Sequence, residues 1–556
     1  MGGIGKTTLA QLVHNDERVK HNFELAIWVC VSDMFVIEQI IRSIIQVVTM
    51  NKCELTEMEA LQKKLGEVLG NKRYLLVLDD VWNEDTQKWN DMRSLLCLHA
   101  GPGTVIVVTS RNDQVASIMG TIPPHQISLL DEDQSQELFH INTFIRQVEN
   151  QEELISMVKS VVHECKGLPL AIKMMAALLR SKHHSQWVSV LDSDVWKNGL
   201  LTNTGIVPAL QLSYDHLSSE EKICFSFCAV LPKDSLMDKD MLIQLWMAND
   251  FIASETRGQQ IFDVLVSRCF LQLCAEIQNN DFIHRPTTCK MHDLMHDLAN
   301  SVSKNDCSIL QESTSHEEIF QGSIDSGLLL QEVRYLSLDY VSNNTVASMK
   351  KILAPRARTI LVQRGLEWTE TSLDTRKSLS MAMSKFMSLR ALKTLSIITD
   401  MTNLKHLRYL YCSDSDISAL PEATVMLYNL QTLKLIGCVS LKKLPEGIQY
   451  MSNLRHECYW LESMPRGIGQ LNTLQTLTDY VIDSDAGGID ELKYLNLGGV
   501  LSLTELRKVH SAEKARQANM SNKQNLNSFL FSNSVQKLSN VCVLEKCMGI
   551  SKNDCF

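Results

Sequence analysis

The sequence has no C-x-x-C pair among its 16 cysteines, no excess of basic residues and no apolar run long enough to span a bilayer. Each absence excludes a class of function. Cysteines scattered in this way, with no apolar leader after Met1, argue against a secreted disulfide framework and for reduced thiols in the cytosol. Lys plus Arg total 54 against 64 Asp plus Glu, a net charge of -10. A surface of that sign repels a phosphate backbone as a whole, so nucleic acid is a poor first ligand. The most apolar stretch, LPLAIKMMAALL, is too short for a membrane span and carries Lys173 in its middle, so no anchor is expected.

What is present is an ordinary globular composition, 45% hydrophobic and 21% charged, over 556 residues. At about one domain per 100–200 residues that length predicts three to five domains. The chain opens with Gly2-Gly3-Ile4-Gly5-Lys6-Thr7-Thr8, all but the first residue of a Walker A loop, followed at once by the helical pattern LAQLVH. Such a turn brings successive backbone N–H groups onto phosphate oxygens, Lys6 reaches the terminal phosphates, and the Thr7 hydroxyl completes a magnesium shell. The full pattern also calls for a glycine just before Met1 and a strand before that. As it stands, this polypeptide is expected to bind nucleotide weakly or to fold poorly in its first domain. A missing buried strand forfeits roughly 1.5–3 kcal/mol per large apolar side chain, against a total stability of about 5–15 kcal/mol.

From Gly2 to about residue 130, the apolar runs LAIWVCV, YLLVLDDVW and TVIVVTSR alternate with helical stretches, the pattern of a parallel sheet covered on both faces. Leu75-Leu76-Val77-Leu78-Asp79-Asp80 is a buried strand ending in two carboxylates, as a Walker B motif does. Asp79 is the candidate for the metal shell, and Asp80 the catalytic candidate that positions or activates a water. Solvated acids at a strand end are the plain alternative. Arg111 follows TVIVVTS and precedes Asn112, a candidate helix cap. There its forked guanidinium can sense a third phosphate, unless it is an ordinary surface turn arginine.

After Pro123-Pro124 the strands stop. Helical patterns run from Asp131 through Lys182 and from Ser185 to about Ile252. Gly167-Leu168-Pro169-Leu170 between two of them needs no ligand, because glycine stops a helix and proline starts one. The stretches LIQLWMANDFI and IFDVLVSRCFLQL, followed by polar NNDFIHRPTTCK, predict a winged-helix unit with a short hairpin. The candidate recognition helix has no basic residue, so an internal docking role is expected rather than DNA binding. In MHDLMHDL, His292 and His296 stand one turn apart and superficially mimic H-E-x-x-H, but the base would be Asp and no third ligand is evident. An amphipathic helix burying Met291, Leu294, Met295 and Leu298 accounts for the apolar positions and leaves His292 unexplained.

Residues 310–330 are rich in Ser, Glu and Gly and read as a connector. Beyond it the units LRYLYCSDSDISALPEA, LQTLKLIGCVSLKKLPEGI and LRHECYWLESMPRGI set Pro421, Pro445 and Pro465 at spacings of 24 and 20. That lies within the range of roughly 20–29 for leucine-rich repeats, and stacked repeats make a curved solenoid. Glu457 stands where leucine is expected, which predicts a local irregularity. The leucine period is lost from about residue 533, and residues 533–556 read as an irregular tail.

In this order the motifs GGIGKTTLA, FELAIWVCVSD, LLVLDDVW, VIVVTSR, CKGLPLA, CFSFCAVLPKD, MHDLMHDLA and the LP-containing repeats resemble one family. It is that of plant intracellular immune receptors of the nucleotide-binding, leucine-rich-repeat class (NB-ARC, NLR disease resistance proteins). Trp82 resembles the coiled-coil subclass rather than the one with a TIR domain, and the N-terminal signalling domain is expected to be missing. The resemblance implies a multidomain α/β P-loop NTPase of the STAND type, with helical and winged-helix subdomains and a leucine-rich-repeat solenoid. The expected divisions are a nucleotide-binding domain at 1–130, lacking its first strand, a helical ARC subdomain at 131–205, and a winged-helix subdomain at 206–309. A linker at 310–330, repeats at 331–532 and the tail complete them.

The family further implies a defence switch: ADP and Mg2+ hold a closed state, and exchange for ATP opens it into a signalling oligomer. By that resemblance Pro169 packs near the adenine, Arg111 senses the γ-phosphate and His292 contacts the ADP β-phosphate. Gly2, Gly3, Ile4, Gly5, Lys6, Thr7 and Thr8 then form the nucleotide loop, with Thr7 and Asp79 on the metal. Hydrolysis would be slow and serve to reset the switch. Partners would be a pathogen effector or a guarded host protein on the repeats, in the cytoplasm, with nuclear residence left open. A continuously cycling ATPase, and a truncated or decayed fragment whose repeats alone bind a partner, are the competing readings.

Overall fold

The computed structural model describes residues 1–31, 35–51, 53, 55–143, 152–192, 208–274, 287–311, 319–320, 333–338, 356–363, 373–394, 400–413, 417–438, 440–457, 461–483, 488–509 and 511–532. The irregular tail expected at 533–556 and most of the expected connector lie outside them.

The first unit is a parallel sheet in the order Leu25–Cys30, Tyr74–Asp79, Val105–Val108. Its middle strand is buried along its whole length, as a continuous apolar run between two covered faces requires. Side chains alternate across it. Tyr74, Leu76 and Leu78 join Ile41, Ile44, Leu61 and Leu65 of the helices Ile37–Thr49 and Met58–Leu69, whereas Leu75 and Val77 meet Ala10 of the helix Lys6–Asn15. The helix Asp113–Met119 begins at Asn112, whose side chain accepts a hydrogen bond from the Gln114 N–H, as its position after Arg111 predicts.

Helices Glu132–Thr143, Glu152–Glu164, Pro169–Arg180 and Pro208–Asp215 follow. The winged helix comprises Ser219–Phe227, closed by a Ser218–Glu221 capping box, with Lys239–Ala248, Glu255–Ser267, Asp293–Ser303 and a small antiparallel sheet. In that sheet Gln272–Leu273 pairs with Thr288–Lys290, the two arms of the expected hairpin; residues 275–286 between them lie outside the described part.

The solenoid is a nine-stranded sheet running from Thr476–Leu477 back to Tyr335–Leu338 and Cys307–Gln311. Pro421 and Pro445 each lead into a short 3-10 helix. At Glu457 the strand shrinks to His456–Glu457. One boundary needs correction. Residue 310, read as the start of a connector, lies in the strand Cys307–Gln311, which pairs in parallel with Tyr335–Leu338 and buries Ile309 and Leu310.

The helix Lys239–Ala248 is buried from Leu242 to Ala248, and it docks internally, as the absence of basic residues from LIQLWMANDFI predicts. Tyr335, Leu361, Ala391 and Tyr409 of the solenoid strands belong to the same apolar cluster as Leu245 and Trp246. Just past the helix, Asn249 donates to Thr359 at 2.9 Å and Asp250 pairs with Arg390 at 2.7 Å and with Arg408. Among the described residues no helix is long and apolar enough to cross a membrane.

Candidate nucleotide site

The glycine loop turns into the helix Lys6–Asn15 through Gly5, which caps it at φ 101°. A side chain is strained at that angle, so glycine is required there. Gly3, at φ 74°, lies so close to the next domain that a Cβ would sit 2.9 Å from Leu170 Cβ. The Leu170 N–H also donates to the Gly3 carbonyl at 3.3 Å. Pro169 is the first residue of its helix, where its missing N–H is not needed, and this places the helix start against the loop.

Facing these is a cleft of about 930 Å³, open to solvent, into which three units project. The sheet domain contributes Gly3, Gly5, Lys6, Thr7, Thr8, Asp79, Asp80 and Arg111; the helical domain contributes Pro169 and Lys173; the winged helix contributes Asp234, Gln272, Lys290, Met291, His292 and Asp293. The cleft thus gathers Gly3, Gly5, Lys6, Thr7, Thr8, Asp79, Asp80, Arg111, Pro169 and His292 from the sequence-derived set. Two members of that set do not line it. Gly2 packs beneath Leu294 and Arg111, and Ile4 packs against the apolar core of the helical and winged-helix domains.

At the end of the middle strand, the Thr7 hydroxyl donates to Asp79 Oδ1 at 3.0 Å, and the Thr109 hydroxyl donates to the same oxygen at 2.6 Å. The Asp80 N–H in turn donates to Thr109 Oγ1 at 2.8 Å. A hydroxyl and a carboxylate converging in this way fit a hard divalent cation, which takes oxygen ligands. Lys6 lies among Arg111, Asp79 and Asp80; burial, then repulsion from Arg111, pushes its pKa down. An anion in the cleft would relieve both effects.

Arg111 is not a surface turn residue. Its guanidinium stacks over Trp82 at 5.1 Å, reaches Asp80 Oδ2 at 3.5 Å and pairs with Asp293 Oδ2 of the winged helix. Asp293 is only 3% exposed, and its Oδ1 has no hydrogen-bond partner among the described residues. The sheet and the winged helix are therefore tied by one buried ionic contact at the floor of the cleft.

His292 caps the helix Asp293–Ser303: its Nδ1 accepts from the Leu294 N–H at 3.1 Å, which leaves Nε2–H as its free donor. Burial, then the nearby Arg111 charge, lowers its pKa to about 4, so it is neutral at pH 7. His296 is a core histidine, with Nε2 on the Leu231 carbonyl at 2.8 Å and Nδ1 on Asn300 at 3.1 Å, which disposes of the zinc resemblance. Leu294 packs half-buried against the winged-helix core, as expected, and also covers Gly2 and Gly3. This domain meets the glycine loop through an apolar contact as well as an ionic one.

The His292 shift has a pH consequence. The unfolded chain binds a proton near pH 6.5 that the folded chain refuses until about pH 4. Stability from this group is complete above pH 6.5 and falls as pH drops through that window, by about 2 kcal/mol at pH 5. In chemical denaturation, His292→Gln is expected to show a smaller loss between pH 7 and pH 5 than the wild type; equal losses would refute the assignment.

Residues 1–149 match the NB-ARC domain model, 230–299 the disease resistance protein winged helix domain, and 371–554 a leucine-rich repeat region. The putative disease resistance protein RGA4 of Solanum bulbocastanum is 36% identical over 96% of this chain and 50% of its own length. Disease resistance protein RGA2 of the same plant is 36% identical over 96% of the chain and 51% of its length. The putative disease resistance RPP13-like protein 1 of Arabidopsis thaliana is 32% identical over 95% and 50%. The chain spans about half the length of the curated relatives it matches.

Proposed function

The chain belongs to the plant disease resistance proteins that join NB-ARC, winged-helix and leucine-rich-repeat domains, and from that premise we propose that it is a nucleotide-gated switch in plant defence. Membership supports the defence role and nucleotide binding; the proposal concerns which nucleotide acts, through which residues and to what effect. ADP with Mg2+ would occupy the cleft between the sheet and its helical lid, and exchange for ATP would release the winged helix. Thr7 and Asp79 would hold the cation, Lys6 and the loop amides the phosphates, and Pro169 would pack near the base. The divisions at about 130 and 205 would bound the moving parts, and the repeats would bind an effector or a guarded host protein.

The observation that carries this reading is Arg111, held between Asp80 of the sheet and Asp293 of the winged helix in the same cleft as Lys6. A ligand shifts a conformational equilibrium only through contacts that differ between two states. A third phosphate that draws the guanidinium away would leave Asp293 buried and without its partner. Arg111 shares Asp80 Oδ2 at 3.5 Å and so competes with a water for it, which suits a slow resetting hydrolysis better than steady turnover.

The test is to purify the chain, assay it for retained ADP and titrate it with fluorescent ADP. Within an intact receptor retained ADP and slow phosphate release are expected, and the 556-residue chain alone should take up ADP more weakly. Rapid steady release would favour a cycling ATPase, and an intact receptor indifferent to both nucleotides would overturn the proposal.

A further inference from the structure

The hairpin strand Thr288–Lys290 leads directly into His292. Cys289 is wholly buried in the winged-helix core, whereas Lys290 and, just past the strand, Met291 and His292 line the cleft. Across the hairpin Lys290 pairs in register with Gln272, which lines the cleft beside it. Four cations thus face the cavity: Lys6, Arg111, Lys173 and Lys290. Arg111 is engaged by Asp80 and Asp293. Among the described residues no hydrogen bond or ion pair holds the Lys290 ammonium, although the carboxylates of Asp234 and Asp293 line the same cavity. His292 is neutral, with only one N–H free to donate, so it brings a dipole to the cleft and no charge.

We propose that Lys290 is the charged phosphate contact of the winged helix, closing on the polyphosphate of a bound nucleoside diphosphate from the side opposite Lys6. This rests on the cleft being a nucleotide site, and it adds a residue that the glycine-loop motif does not contain. An ammonium is a donor only, and a charged acceptor satisfies it best; in this cleft that acceptor is the polyphosphate that Lys6 and the loop amides would gather. Because Lys290 rides on the winged helix, its contact forms only while that domain is docked. ADP affinity and the closed state therefore reinforce one another.

The test uses the 556-residue chain with fluorescent ADP and Mg2+ at low and high KCl. Charged hydrogen bonds of this kind predict that Lys290→Gln weakens ADP binding roughly 10- to 100-fold. Lys290→Arg should stay within a few-fold of wild type, and wild-type affinity should fall more steeply with KCl than that of Lys290→Gln. The melting midpoints without nucleotide should coincide, which separates a lost contact from a misfolded hairpin. Wild-type affinity and salt dependence in Lys290→Gln would overturn the assignment, as would a Lys290→Arg variant as weak as Lys290→Gln. A wild-type chain that takes up no ADP would instead overturn the nucleotide reading of the cleft itself.

Discussion

Asp293→Val is expected to free the winged helix from the sheet, speed ADP release and trigger cell death without a pathogen when expressed in leaves within an intact receptor. The carboxylate is almost wholly buried, and its Oδ2 supplies the ionic tie to Arg111 across the seam. Removing one partner of a buried pair leaves the other charge uncompensated, typically at a cost of about 3–5 kcal/mol. Arg111 keeps a weaker contact to Asp80 at 3.5 Å, so the low end of that range is expected, a shift of roughly 100-fold toward the undocked form. Asp297, one turn further along, is the control. Its side chain is 47% exposed and pairs with Lys233 on the surface, so Asp297→Val should change little. An Asp293→Val protein that holds ADP as firmly as wild type and stays silent in leaves would sink the proposed latch.

The second large effect is at Lys6. Its ammonium folds under the glycine loop, within 2.8 Å of the Met1 carbonyl, in a space shared with Arg111. A compact point charge on a flexible stem fits there, whereas the planar fork of arginine does not, and it would press a second guanidinium toward the first. Lys6→Arg should weaken nucleotide binding by about 100-fold, the worth of a strong charged contact. The decisive measurement is the double variant. If nucleotide gates the switch, Lys6→Arg should silence even the Asp293→Val protein. Undiminished cell death from Lys6→Arg/Asp293→Val would mean that opening needs no triphosphate.

Much of this site could be read along the chain, because its parts obey local rules. Glycines at positive φ, a buried run ending in Asp79-Asp80, a cap at Asn112 and a helix-starting Pro169 are each set by a handful of neighbours. Asp234, Gln272 and Lys290 were not picked out as site residues. The strand Thr288–Lys290 that carries Lys290 to the cleft is three residues long, too short for its period to distinguish a hairpin from a loop. Thr109 was hidden for another reason, since a threonine at a strand end carries no signal until both Asp79 and Asp80 are seen to share it.

The sequence alone determined the kinds of domain, their order, the glycine loop with its paired carboxylates, and the leucine frame of the solenoid. All of these follow from periods and spacings that span fewer than about thirty residues. Only the tertiary structure decided that Arg111 meets Asp293, that Leu294 covers the glycine loop, and that Asp250 holds Arg390 and Arg408 on the solenoid. Those contacts join surfaces of separately built domains. Their partners are chosen by how rigid bodies dock, and no local pattern in either segment encodes that.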